Sequence, residues 1–377
     1  MDYTKKNLSF KIKKAIRYTR LYGISRTLQK IRSQYHMNKA YETLPAFKER
    51  SDKRHVAIIG CGNFAFSTIA YYLKKNYGSV IKACCDTNIN RAASLFEAYD
   101  LDYYTDNVDR IFNDPKIDLV YVASNHASHA EYAIEAVKRG KHVHIEKPHV
   151  VSEDQLNRLL KAMKLSESKV SLGFNRPYSP IGQKIKKSLD AEEGSSMLNW
   201  FIAGHAIDPD HWYFHEKEGG RILGNLCHWT DFLFQMIPEN KRYPVTITPT
   251  RDVKSDCDIA VSYLFGDGSV SVITFSAKGH TFEGVRERFS GHKGNTLISM
   301  DDFGSLTIER VDTKEKIKPS YRDHGHEGSI MFSYRMTQGK NKGREPQYIY
   351  DTALLFLKTK EALDKNQKVV LPVTCPH

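Results

Sequence analysis

The chain has 377 residues, enough for two domains rather than one small core. Its 40% hydrophobic and 27% charged residues fit a soluble globular protein, and no apolar run approaches the roughly 20 residues of a membrane-spanning helix. The net charge of +12 is concentrated: residues 1–54 hold 15 Lys and Arg against 4 Asp and Glu, and the rest holds 41 against 40, which argues against a nucleic-acid surface on the body.

Residues 1–54 form a basic extension. Ile12, Ile16, Thr19 and Tyr22 share one helical face. Gly23 breaks that pattern, and Ser25 can cap a second short helix carrying Leu28, Ile31 and Tyr35. Such an arm suits packing on the body or on a neighbouring subunit, and its basicity suits an anionic membrane surface. The extension lacks the ~7–15-residue apolar core of a signal peptide, so a cytoplasmic location is expected. The six cysteines include no C-x-x-C pair, which gives a zinc site no support, and reduced thiols suit a cytosolic protein.

From His55 the pattern alternates strand and helix. HVAII, SVIKACC, IDLVYVA, KHVHIE and KVSLGF read as strands. Helical patterns over 64–76, 90–99 and 129–139 separate the first four of them. Ser152 opens an S-E-D-Q capping box ahead of Leu156, Leu159, Leu160 and Met163. This alternation predicts a parallel sheet covered on both faces, over residues 55–175. Residues 176–377 change character. SMLNWFIAG, PVTITPT, DIAVSYLF, SVSVITFSA, EGVRERFSG and GNTLISM are strand-like and predict an open, largely antiparallel sheet in an α+β domain. A last helix over 350–365 is expected to return to the body.

Strand one runs into Gly60-Cys61-Gly62-Asn63-Phe64-Ala65, a G-x-G-x-x-A turn between strand and helix. Gly60 permits the turn, Gly62 admits a pyrophosphate to the backbone, and Ala65 keeps helix and strand close. The first N–H groups of the helix, including those of Asn63 and Phe64, then favour phosphates. Asp86 ends strand two, where an acid binds ribose hydroxyls and repels a 2′-phosphate; this favours NAD over NADP.

Three segments, HVAIIGCGNFA, VYVASNHASHAEYAIEAVKRGKHVHIEKP and GGRILGNLCHWTDF, resemble the Gfo/Idh/MocA oxidoreductase family over about residues 54–370. The resemblance implies a Rossmann-type nucleotide domain joined to an open antiparallel sheet that borders the substrate and often an oligomer interface. It implies that Glu146, Lys147 and Pro148, with Asn125, border the cofactor, and that Lys147 faces the nicotinamide and the substrate. Burial and the positive ring would disfavour its ammonium, so Lys147 could take a hydroxyl proton as hydride leaves. His228 is the second catalytic candidate. Gly224 stands where the family has Asp; the adjacent Asn225 is a substrate candidate but cannot act as a base.

Asn175 and Arg176 resemble the family's GFNRR segment and are candidate substrate contacts. Asp210, His211 and Trp212 offer hydrogen bonds and a stacking face to a sugar ring. The Pro-Asp-His-Trp run and the basic extension resemble a branch found in bacterial polysaccharide gene clusters. His129 is expected to be structural, and the His324/His326 pair is not expected to hold a metal. The expected activity is NAD-dependent oxidation or reduction of a sugar or nucleotide sugar, with a homo-oligomer through the sheet. An NAD-retaining glycosidase and a nucleotide-sensing binding protein are the alternatives.

Overall fold

The computed structural model describes residues 3–47, 53–251, 258–279, 282 and 284–372. The chain divides into two compact units. The first comprises residues 1–15, 23–173 and 326–350, and the second residues 16–22, 174–325 and 351–377. The basic extension is thus shared between the units. The segment 326–350 belongs to the first unit, and the bulk of the last helix, Pro346–Lys365, to the second.

The first unit is built on six parallel strands: β1 Val56–Ile59, β2 Ile81–Cys85, β3 Tyr103–Thr105, β4 Leu119–Val122, β5 His142–Ile145 and β6 Val170–Leu172. Their order is 3-2-1-4-5-6. β1 and β4 are buried at every position, as a sheet covered on both faces requires. All six strands end on the same edge, and the order reverses between β1 and β4, the place where open α/β sheets hold ligands. The capping box forms: Ser152 Oγ accepts from Gln155 N at 3.2 Å, while Gln155 Oε1 accepts from Val151 N at 2.9 Å.

Two helices, α1 Leu8–Tyr22 and α2 Ile24–His36, make up the extension. Gly23, not Ser25, caps α2; Ser25 lies inside the helix with its hydroxyl 2.7 Å from Tyr71 Oη. Ser25 cannot cap because Gly23, at φ 83°, turns the chain two residues earlier. The helix packs in an unexpected sense. Thr27, Gln29, Ser33 and His36 are buried, whereas Ile24, Leu28, Ile31 and Tyr35 are exposed at 68%, 55%, 41% and 60%. Its polar face turns inward because the surface beneath offers carbonyls and hydroxyls. α2 packs against the helical run that starts at the glycine turn, a π-helical turn Ala65–Ile69 continued by α3 Ala70–Tyr77, and against α4 Ile89–Tyr99.

The second unit holds nine strands: β7 Ser196–His205, β8 Val245–Thr250, β9 Ile259–Leu264, β10 Val270–Gly279, β11 Arg286–Lys293, β12 Thr296–Asp301, β13 Ser305–Arg310, β14 Thr313–Ile317 and β15 Val369–Leu371. The order is 14-13-12-11-7-10-9-8-15. Every pair is antiparallel except β7 with β10, so the sheet is mixed and largely antiparallel. β7 alternates buried and exposed residues, burying Trp200 and Ile202 and exposing Met197 and Phe201. Helices Pro180–Asp190 and Cys227–Met236 also belong to this unit.

Candidate active site

In the first unit the glycine turn leaves β1 beside the end of β4. Gly60 has φ +89°, and a Cβ there would lie 2.5 Å from the carbonyl oxygen of Ala123, so only glycine lets the turn rest on β4. A Cβ on Gly62 would meet nothing within 4 Å. That open space, above the first-turn N–H groups that have no intrahelical acceptor, is what a dinucleotide pyrophosphate needs. Asp86 follows β2 beside it. One carboxylate oxygen accepts from Cys61 N at 2.7 Å and the other from Asn88 N at 2.8 Å. The residues present therefore fit a dinucleotide. Phe64 packs its ring 5.7 Å from that of His326, at the start of the helix.

Lys147 follows the end of β5 on the same edge and is half-buried; the Lys147–Pro148 peptide is cis. Its surroundings are tied down. His129 is buried, with Nδ1 2.9 Å from the Pro148 carbonyl oxygen and Nε2 3.2 Å from that of Ser124. Burial pulls the His129 pKa down. Glu146 turns into the unit: its carboxylate is 3.1 Å from His144 Nε2, whose Nδ1 is 2.7 Å from Ser333 Oγ. At 7% exposure its side chain supports the strand end from within. Asn125 is exposed at the start of helix His126–Lys138, with Oδ1 2.6 Å from Ser128 Oγ.

The second unit contains the remaining candidates. Arg176 is 7% exposed, and its guanidinium makes two bonds of 2.6 Å to Glu287, which also accepts from Trp229 Nε1 at 2.7 Å. Asn175 is 2% exposed; its Nδ2 donates to the His324 carbonyl at 2.6 Å, and its Oδ1 is buried without a hydrogen-bond partner. Burial holds the His324 imidazole well below its usual pKa.

Asn225 and His228 lie three residues apart across the junction of a π-helical turn, Ile222–Leu226, and helix Cys227–Met236. Both are half-buried, whereas Leu223, Gly224, Leu226, Cys227 and Trp229 around them are buried. Asn225 Oδ1 is buried without a hydrogen-bond partner. Gly224 brings no carboxylate to this helical face. Asp210 is exposed. His211 caps a 3-10 turn, Trp212–Phe214, its Nδ1 accepting from Tyr213 N at 3.3 Å, and the Trp212 ring lies 5.5 Å from its own.

Several residues at these sites carry no motif. Glu287 is a lone acid in a strand pattern, yet it organises Arg176 and Trp229. Lys30, Ser33 and His36 reach the glycine turn from α2. Lys30 Nζ is 3.0 Å and Ser33 Oγ 3.3 Å from Asn63 Oδ1, and His36 Nε2 is 2.7 Å from the Cys61 carbonyl oxygen. The only sequence signal was that these polar residues share one helical face.

Residues 54–174 match the model of a family described as an oxidoreductase family with an NAD-binding Rossmann fold. The chain is 25% identical over 265 residues to the uncharacterized oxidoreductase YrbE of Bacillus subtilis, covering 67% of this chain and 78% of that one. It is 20% identical over 305 residues to the scyllo-inositol 2-dehydrogenase (NAD(+)) of the same organism, covering 76% and 88%. A levoglucosan dehydrogenase solved with NADH and levoglucosan has the same fold, with a TM-score of 0.73 at 18% identity over 85% of this chain and 100% of that one.

Proposed function

We propose that the chain is a Gfo/Idh/MocA-family NAD-binding oxidoreductase and that it moves a hydride between NAD and a secondary hydroxyl or ketone of a sugar or nucleotide sugar, a reading supported by the family match over residues 54–174. The observation that carries this reading is Lys147 on the same sheet edge as the glycine turn and Asp86. Bound NAD supplies the hydride acceptor. Lys147 Nζ takes the hydroxyl proton in the oxidative direction and returns it in the reductive one. The His129 and Glu146 contacts hold the strand end that carries it. His228 assists, and Asn225 orients a substrate hydroxyl. Asp210, His211 and Trp212 are offered to the sugar ring. Arg176 acts by holding Glu287, and Asn175 by its bond to the His324 carbonyl.

The inositol and levoglucosan dehydrogenases among the similar proteins support a carbohydrate substrate. The Pro-Asp-His-Trp run supports a place in envelope polysaccharide synthesis, and the four described cysteines, all free thiols, support a cytoplasmic one. Lys147→Ala is expected to lower turnover on a panel of sugars and nucleotide sugars by about 10²–10⁴-fold while NADH still binds. Unchanged turnover, or glycoside cleavage without net NADH formation, would overturn the assignment.

A homo-oligomer is proposed through the outer face of the second sheet. The register aligns Leu264, Val270, Met197, His292 and Leu297 in one row across five strands. Leu264, Met197 and Leu297 are 48%, 64% and 47% exposed in the isolated chain. Met197→Glu should reduce the mass measured by light scattering; an unchanged mass removes this face from consideration. The outward stripe of α2 is proposed to meet an anionic membrane surface or a neighbouring subunit, and co-sedimentation with anionic vesicles separates the two.

A further inference from the structure

α2 grips the glycine turn at consecutive points. His36 stacks its ring 4.3 Å from Phe66. Its Nε2 donates to the Cys61 carbonyl and its Nδ1 accepts from Ser94 Oγ at 2.9 Å, a pairing that a neutral ring satisfies. Burial lowers the His36 pKa, in agreement. The π-helical turn that follows displaces its carbonyls from the ordinary ladder. Phe66 O accepts from Gln29 and from Tyr99 Oη, and Ser67 O accepts from the Arg26 guanidinium. Asn63, whose N–H belongs to the phosphate cradle, receives Lys30 and Ser33 on its side chain.

Charge gives these contacts a direction. From Gly60 to Leu73 the turn and its helix contain no Lys or Arg, and the acid bonded to the turn is Asp86. A pyrophosphate bound there would bring two negative charges to a cradle with no cation of its own. Lys30 places an ammonium one side chain away, on a flexible stem long enough to swing from Asn63 Oδ1 to a phosphate oxygen.

We propose that α2 is part of the dinucleotide site and that Lys30 is its phosphate-binding cation, a role that rests on NAD occupying the glycine turn. Burial, with Arg26 and Lys14 nearby, brings the Lys30 ammonium down to about 8. The other charged groups around this end of α2 are Asp86 after β2, Arg91 of α4 and Lys39 just beyond α2, all of which act on His36. Two phosphate charges would favour the ammonium again. Binding should then be insensitive to pH below about 8 and weaken as the pH rises above it, when the free protein has lost the proton that the complex needs.

The test titrates the full chain and its Lys30→Met and Lys30→Arg variants with NADH, followed by nicotinamide fluorescence at pH 7 and pH 9. ADP-ribose and adenosine serve as competitors. Lys30→Met is expected to raise the NADH Kd about ten-fold at pH 7, the scale of one charge-assisted bond, and to abolish the alkaline weakening. Lys30→Arg should restore affinity at both pH values. ADP-ribose should lose affinity with NADH, whereas adenosine, which has no phosphate, should not. A wild type that binds NADH beside a Lys30→Met variant within two-fold of it would overturn the role of the arm alone. Equal losses for adenosine and ADP-ribose would also overturn it, since they would show that Lys30 only shapes the turn. A folded wild type that binds neither NADH nor ADP-ribose would overturn this role and the cofactor reading together.

Discussion

The two units treat their polar residues differently. In the parallel sheet of the first, Gly60, Asp86 and Lys147 each follow a strand and lie on one edge. In the second, Asn175 and Arg176 are buried and bonded to His324 and Glu287, while Asn225 and His228, on a helix, stay half-buried. The contrast follows from topology. Parallel strands all finish on the same side, so a residue just beyond a strand has a fixed destination. The second unit's residues stand at no strand end of its own sheet, Asn175 and Arg176 at a 3-10 turn and Asn225 and His228 on a helix, so no strand order fixes their destination. Arginine beside a buried acid finds it at once.

Arg176→Ala tests that difference most severely. It strands the carboxylate of Glu287, which is 1% exposed, and should destabilise the second unit by about 3–5 kcal/mol in denaturant unfolding. If Arg176 instead serves substrate, stability stays put and KM rises. Asp86→Ser probes the first unit more gently. Removing the carboxylate should weaken NADH and relieve the repulsion of a 2′-phosphate, moving the NADH/NADPH preference roughly ten-fold towards NADPH in a fluorescence titration. An unchanged ratio would place the ribose elsewhere. Ser152→Ala removes one cap from a helix of the parallel unit and should cost about 1 kcal/mol in thermal unfolding, with cofactor affinity unaltered.

Much of the first unit was legible because its signals are local. β1, β2, β4, β5 and β6 are short apolar runs, the glycine turn has a fixed spacing, and Ser152 announces its helix. β3 was missed at three residues, and β13, β14 and β15 were missed for related reasons. β14, TKEKI, is exposed at four of its five positions and has no buried face to alternate with. The second site was legible as a segment, Gly219 to Asp231, but not as a geometry, since nothing in the spacing says that Asn225 and His228 remain accessible while Trp229 turns in to Glu287. The extension misled in another way. Its helices were found by their apolar period, and the rule that apolar faces turn inward fails for α2, where the surface beneath is made of carbonyls and hydroxyls.

The place of β7 in its sheet bears on how the chain is made. β7 lies between β10 and β11, with Met197 beside Val270 and His292, so both its neighbours are synthesised long after it. Until the ribosome has passed residue 279, the end of β10, the strand carrying Trp200 and Ile202 has no edge to join. The first unit's leading strands can pair during that wait, whereas the second must hold an unpaired apolar strand in the meantime. A late-closing sheet of this kind folds slowly and exposes its core on the way. Expression at lower temperature or with added chaperones should therefore raise the soluble yield of the chain.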